Sequence, residues 1–180
     1  MRSTKGVLSA LLLWMSLTAP LPVSALSSDK QQPIHIEADS VVIDDAQGTA
    51  VYRGNVRYTQ GSTHLEAEKV TVYSTDRQKV NKVVADGKPA TFRQRPDGQE
   101  QDIRGQAGHI EYFAADERVI LVNDAHLWQG KNEFAGSRIE YDTAKETVKA
   151  RKAEDDEGRV QVIIQPRQQA DSPSPAAPAP

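Results

Sequence analysis

The sequence lacks cysteine, so disulfide frameworks, thiolate zinc sites and cysteine nucleophiles are all excluded. It also lacks a strong charge of either sign: 22 basic and 25 acidic residues give −3 at pH 7. We therefore expect no nucleic-acid partner, because a polyanionic backbone is bound mainly through excess basic charge. Beyond residue 25 there are four leucines and no methionine, against fourteen valines and nine isoleucines. Since β-branched side chains fit a pleated surface, this composition predicts an all-β protein.

The first 25 residues have the layout of a secretory signal. Arg2 and Lys5 precede an apolar run over residues 7–18, and small residues lead up to Ala25. The run of 12 residues is shorter than the roughly 20 that a membrane-spanning helix needs. We therefore predict a cleavable signal peptide over 1–25 and export to a bacterial periplasm, with an uncleaved membrane anchor as the alternative.

Residues 166–180 form a Pro/Ala-rich tail. The tail contains no apolar side chain larger than proline, so burial cannot offset the entropy of ordering it. We predict a disordered tail, with a Pro-rich recognition peptide as the functional alternative. The predicted domain then covers 26–165, and its folded part is expected from about Pro33 to Gln165.

Between these ends, apolar and polar residues alternate with a period of two, and no helical periodicity persists. Ile34, Ile36 and Ala38 show the pattern, as do Val160 and Val162 near the other end. Turn signals rich in Gly, Asp and Gln separate the alternating runs. Short strands at such spacing are typical of a sandwich, a jelly roll or a barrel.

A strand motif recurs four times inside this alternation. A small residue at Ala38, Ala67, Ala107 or Gly136 is followed three positions later by a β-branched residue. Because three is odd, the inward face changes parity within each copy, and a bulge or sharp bend performs that change. The pattern predicts strand–bend–strand units that wrap around a shared interior as an open sandwich. Partner strands are expected to cross the bends at residues 54–56, 87–90 and 123–125.

The two end units should present unpaired strand edges. One is expected near residues 34–39 and the other near 160–165. Exposed edges invite strand addition by another chain, but tails or bulges often protect them. The sequence alone leaves both outcomes open.

Motifs for catalysis or metal binding are missing from the sequence. His35, His64, His109 and His126 occur in no His-x-x-x-His, His-Glu-x-x-His or His-x-His spacing, and His35 and Glu37 on one strand face have no evident third ligand. The acidic residues cluster at turns or alternate outward, and no nucleophile elbow, phosphate loop or dinucleotide fingerprint occurs. We therefore expect a protein that is not an enzyme and that has no cofactor and no metal site. The apolar interior could be a closed core or a groove for hydrocarbon chains, and composition does not choose between them.

Five strings together resemble the OstA-like (LptA) family of periplasmic lipopolysaccharide transport proteins. They are QPIHIE at 32–37, YRGNV at 52–56 with TQG at 59–61, GKPATF at 87–92, IEY at 110–112 and LVNDAHL at 121–127. The resemblance extends from Gln32 to Gln165. It implies a twisted β-jelly roll with a V-shaped cross-section, in agreement with the repeated units.

The resemblance also implies a non-enzymatic carrier of lipopolysaccharide for outer-membrane assembly. Members of the family bind the acyl chains of lipid A in the apolar interior and stack head to tail through edge strands. The N-terminal edge would meet an LptC-type subunit of the inner-membrane transporter, and the C-terminal edge an LptD-type translocon of the outer membrane. The rival hypotheses are a structural β-adaptor with a closed core and a jelly-roll hydrolase of envelope glycans.

Candidate site residues follow from the resemblance and from strand parity. The resemblance implies that the lipid-binding groove is lined by Ile34, Ile36, Phe92 and Tyr112, and parity alone adds Tyr52, Val56, Leu121 and Leu127. The residues expected at the protein-interface edges are Ile34, His35, Ile36, Glu37, Val160, Val162 and Ile164. The chain departs from the family at Ala114, where a larger aliphatic residue is common, and in its Pro/Ala-rich tail.

Overall fold

The computed structural model describes residues 28–75, 79–152 and 159–165. The predicted signal peptide, the predicted tail and residues 153–158 lie outside these ranges. The described part begins with a short 3-10 helix, Ser28–Gln31, which precedes the expected start of the fold at Pro33. It continues with ten strands: β1 His35–Glu37, β2 Ser40–Asp44, β3 Thr49–Gln60, β4 Thr63–Ser74, β5 Val80–Gln94, β6 Ile103–Phe113, β7 Arg118–Gln129, β8 Asn132–Asp142, β9 Thr147–Arg151 and β10 Gln161–Ile163.

The strands form one antiparallel sheet that does not close into a barrel. Strands β3 to β8 pair consecutively as a meander, β1 and β2 both pair with β3, and β9 and β10 both pair with β8. Within the described ranges, no pairing joins β1 or β2 to β9 or β10. The prediction of an all-β, open architecture is confirmed. The described residues include no helix long and apolar enough to cross a membrane.

Each long strand changes register near its middle. Gly54 and Asn55 of β3 together oppose Glu68 of β4, and Asn123 and Asp124 of β7 together oppose Ser137 of β8. These four extra residues have positive φ angles, between 46° and 80°. Gly, Asn and Asp enter this left-handed region most readily, which explains their use at the bulges. The extra residues lie on the predicted partner strands β3 and β7, opposite the motif strands on which the inward face changes.

The small residues of the repeated motif lie directly beside these bulges. Ala67, Ala107 and Gly136 are the last paired residues before each change of register. The first copy differs, because the strand is interrupted between β1 and β2. There, Asn55 Nδ2 donates a hydrogen bond of 3.0 Å to Asp39 Oδ2, and the Asp39 amide donates to the Gly54 carbonyl.

The bends divide the sheet into two arms that face each other. The first arm contains β1, β10 and the segments of β3–β8 from the bulges to the Gln60, Gln94 and Gln129 ends; the second arm contains β2, β9 and the remaining segments. One apolar cluster includes inward side chains of both arms. Its largest fully buried members are Tyr141, Ile110, Leu121, Leu127, Ile139, Val56 and Val70.

Candidate functional site

A cavity of about 80 Å³ lies between the two arms. Its walls are apolar and come from both sides: Tyr58, Leu65, Phe92, Val83, Ile110, Tyr112 and Val119. Polar residues occur where the strands of each arm end, with Gln60, Thr63 and Gln94 on the first arm and Glu117 and Thr143 on the second. The cavity is therefore apolar between the arms and polar at its rim.

Tyr58 joins the apolar wall to this rim. Its ring is 8% exposed, while its hydroxyl donates a hydrogen bond of 2.7 Å to Gln60 Oε1. Burial is the main cause that raises the pKa of Tyr58 to about 12, with smaller contributions from Tyr112 and Asp29. The phenol is therefore a neutral donor at all physiological pH values, and its polar atom is satisfied at the edge of the apolar wall.

Asp29 anchors the N-terminal 3-10 helix at the same rim. Its side chain is 8% exposed, and its carboxylate accepts hydrogen bonds from the Ser62 amide at 2.7 Å, the Ser62 hydroxyl at 2.7 Å and the Thr63 hydroxyl at 3.1 Å. Gly61 has a φ of +57°, and a Cβ there would lie 2.2 Å from Asp29 Oδ1. Only glycine therefore lets the β3–β4 turn approach Asp29 so closely.

Burial acts to raise the pKa of Asp29, but the hydrogen bonds from Ser62 and Thr63, with one from Gln94, outweigh it and hold the pKa below its ordinary value of 3.8. The ionised carboxylate therefore stabilises the anchored state above pH 3.8, and this contribution is lost as pH falls through the lower folded pKa.

We expect the Ser62 amide to lose protection from hydrogen exchange as pH falls through the folded pKa of Asp29. In Asp29→Asn, the Ser62 amide should exchange faster at neutral pH, and its protection should show no transition in this acid range. Equal protection of the wild-type amide at about pH 5 and at about pH 2 would contradict the anchoring role.

The predicted groove residues occupy three different environments. Phe92 and Tyr112 lie together on the cavity wall. Ile36 and Tyr52 are half-buried and pack against the core, and Ile34 is 39% exposed just before β1. Val56, Leu121 and Leu127 are at most 1% exposed, so they belong to the closed core and not to the wall of the cavity. A lipid contact for each of these residues stays a prediction.

Several residues of the cavity were missing from the predicted set. Tyr58 and Leu65 share the inward parity of the predicted residues and could have been chosen on that signal. Val83, Ile110 and Val119 also point inward and belong to the apolar cluster, and parity does not indicate which members of that cluster border the cavity. Asp29 has no sequence signal, because it lies before the first alternating run.

The predicted interface residues lie at the edges of the sheet. His35, Ile36 and Glu37 form β1, and Val162 belongs to β10. Val160 precedes β10, and Ile164 follows it with 71% exposure. The same edges also include β2, whose residues 41–43 are 50–63% exposed, and β9, neither of which was in the predicted set. A role of these edges in protein contacts stays a prediction.

The described ranges contain no group of three or more His, Asp or Glu side chains that could hold a metal ion.

Comparison with known proteins identifies the family of this chain. A family model described as "LptA/(LptD N-terminal domain) LPS transport protein" matches residues 35–147, which is more than half of the chain. The chain belongs to this family. The resemblance that the sequence strings suggested is confirmed.

Individual members of the LptA/LptD_N family are similar over nearly the whole chain. The lipopolysaccharide export system protein LptH of Pseudomonas aeruginosa is 39% identical over 166 residues, which cover 88% of this chain and 95% of that protein. LptA of Escherichia coli K12 is 32% identical over 171 residues, covering 94% and 91%. The crystal structure of P. aeruginosa LptH, described as periplasmic, superposes with a TM-score of 0.70 at 38% identity, covering 77% of this chain and 99% of that one. These relatives are transport proteins and not enzymes, which confirms that expectation.

Proposed function

We propose that this chain is a periplasmic carrier that holds the acyl chains of lipopolysaccharide between the two arms of its bent sheet. The observation that carries the proposal is the cavity between the arms, where aromatic and aliphatic side chains form the walls and polar side chains form the rim. An amphipathic ligand matches this order, because its hydrocarbon can lie inside while its hydrophilic part stays in water. Membership of a lipopolysaccharide transport family supports the same ligand.

The size of the cavity defines how binding must occur. A volume of about 80 Å³ is about half that of an engineered cavity of roughly 150 Å³ that holds one benzene molecule. An acyl chain therefore enters only if the arms separate. The bulges at Gly54 and Asn55, and at Asn123 and Asp124, provide points where the sheet can open without breaking its pairing within each arm. Burial of each additional methylene would then stabilise the opened form by about 0.8 kcal/mol.

Photo-crosslinking at two adjacent aromatic residues tests this proposal. Tyr112 lies on the cavity wall, whereas Phe113 lies on the outer face beneath Lys82 and Arg118. We expect p-benzoylphenylalanine in place of Tyr112 to form an adduct with purified lipopolysaccharide, and the same probe in place of Phe113 to form none. Both substitutions replace one aromatic ring by another, so circular dichroism should show the same fold. Adducts at neither position would contradict the carrier function.

A structural β-adaptor with a closed core is the second candidate. The complete burial of Val56, Leu121 and Leu127 favours it, because these residues fill the interior near the bends. Lipopolysaccharide that fails to crosslink at Tyr112, with assembly through the edges retained, would select this adaptor.

The two open edges support a bridging role for the carrier. Large apolar side chains at both edges are about half exposed, including Val42 at 60% and Val162 at 48%. Strand addition would cover them and satisfy the free backbone groups. Since the β1/β2 edge differs from the β9/β10 edge, pairing between copies would be head to tail and would form an open filament. In the bridge, the first edge would meet an LptC-type subunit and the second an LptD-type translocon.

A further inference from the structure

The outer face of the first arm carries a row of side chains that the proposed acyl-chain site does not use. Four residues lie side by side on adjacent strands, in the order His64, Arg93, Arg104 and Trp128. Their chain neighbours Leu65, Phe92, Ile103 and Leu127 are buried in the core, so the row itself points away from it. The row is therefore on the opposite side of the sheet from the cavity.

These side chains surround an open depression of about 580 Å³. This volume is within the range of roughly 300–1,000 Å³ that small-molecule sites occupy. Thr91, Glu66 and Gln106 complete its polar lining. The depression can therefore accommodate one or two sugar rings, and its lining offers both donors and acceptors.

The two arginines in the row lack adequate partners of opposite charge. Arg93 and Arg104 are directly opposite each other across β5 and β6, an arrangement of like charges that destabilises a sheet. Within the described ranges, Arg104 makes no ion pair, and the nearest carboxylate oxygen to Arg93 is Asp102 Oδ2 at 3.9 Å. Asp102 is itself engaged by Arg95, whose Nε donates at 2.8 Å. A bound anion between the two guanidinium groups would remove their repulsion, and their planar geometry suits a phosphate.

Trp128 supplies an apolar surface next to this charged pair. Its indole stacks on His126, with ring centroids 5.6 Å apart and planes inclined by 16°, so the imidazole packs against one face of the indole. His126 is held in turn by Glu133 Oε1, 3.3 Å from its Nδ1. The apolar face of a sugar ring packs well on the face of the indole that His126 leaves open, while Glu66 and Gln106 can bind its hydroxyl groups.

We propose that this depression binds a phosphorylated saccharide, with the phosphate between Arg93 and Arg104 and the sugar ring on Trp128. Glu66 in the same depression disfavours a polyanion such as nucleic acid, since a carboxylate would repel successive phosphates. The proposal deepens the carrier function and rests on it for the source of the ligand, the saccharide part of lipopolysaccharide. In that arrangement the outer face would hold the hydrophilic part of the same ligand class, or of a neighbouring molecule.

Tryptophan fluorescence can test the site directly. The chain from residue 26 onward includes every described residue, and Trp128 is its only tryptophan. We expect fully deacylated, phosphorylated lipopolysaccharide oligosaccharide to change this fluorescence saturably. Arg104→Gln should weaken binding roughly tenfold, because it removes a hydrogen bond between charged groups. Arg138→Gln is the matched control, since Arg138 lies on the outer face of the other arm beside Glu140 and should bind like wild type.

Two further ligands show which part of the oligosaccharide is recognised. The same oligosaccharide after enzymatic removal of its phosphates should bind roughly tenfold more weakly, and glucose 6-phosphate should compete if the sugar phosphate alone is recognised. No saturable change with any of these ligands would overturn the proposal, and so would equal binding by Arg104→Gln and wild type. Because these probes lack acyl chains, their failure leaves the crosslinking result at Tyr112 unaffected, and failure at Tyr112 leaves this binding measurement unaffected.

Discussion

Leu121→Ala is expected to lower the free energy of unfolding by about 2.7–5 kcal/mol, the range for fully buried Leu→Ala changes. Leu121 is 0% exposed and lies at the centre of β7, with Ile110 and Ile139 as its paired neighbours on β6 and β8. The change removes packing on both flanking strands, and the rigid sheet cannot collapse into the space. Urea unfolding followed by circular dichroism measures the effect.

Leu65→Ala is the matched control for this prediction. Leu65 is 8% exposed and already borders the cavity between the arms, so its side chain has fewer packed neighbours to lose. We expect a smaller loss than for Leu121→Ala, because the cost of a large-to-small change grows with the new empty volume it creates. An equal or larger loss at Leu65 would mean that the interior near the rim is as tightly packed as the core.

Val162→Asp is expected to weaken the proposed head-to-tail assembly at least about 100-fold while the single copy stays folded. Val162 pairs with Phe134 and has inward parity, so a neighbouring copy added at this edge would cover it. In one copy the side chain is 48% exposed, and a carboxylate there stays in water. Burying that carboxylate in the interface without a partner costs several kcal/mol, and each 1.4 kcal/mol is a factor of ten. Light scattering over a dilution series measures the change.

Ile163→Asp is the control at the neighbouring position. Ile163 is 50% exposed and pairs with Glu133, whose side chain lies on the outer face. A carboxylate at this position remains in water after assembly, so the association constant should change much less. Equal losses for Val162→Asp and Ile163→Asp would show that the edge does not continue the sheet in the expected register.

The fold could be predicted from the sequence because two signals acted together. The scarcity of leucine and the period of two indicated strands, and the offset of three after Ala67, Ala107 and Gly136 required a change of inward face. The sheet bends at these positions, where the opposite strands carry extra residues at 54–55 and 123–124. The edges followed from the same repeat, since its first and last units have no further neighbour.

The cavity could be predicted only in part, because parity gives the face of a residue and not its depth. Leu127 and Phe92 both point inward, yet Leu127 belongs to the closed core and Phe92 to the cavity wall. That difference depends on how the opposing arm packs, which is a long-range property of the sheet. Asp29 was missed for another reason: it acts through hydrogen bonds to the Ser62 turn, which is distant in sequence.

Each edge of the sheet consists of two short strands set against one bent strand: β1 and β2 against β3, and β9 and β10 against β8. A straight strand from an unrelated chain can align with only one short strand at a time. A partner bent by the same amount can align with both, and the second alignment then occurs at high effective concentration. In the proposed edge pairing, the bend would favour chains of the same architecture over unrelated strands and would disfavour indiscriminate aggregation at an exposed apolar edge.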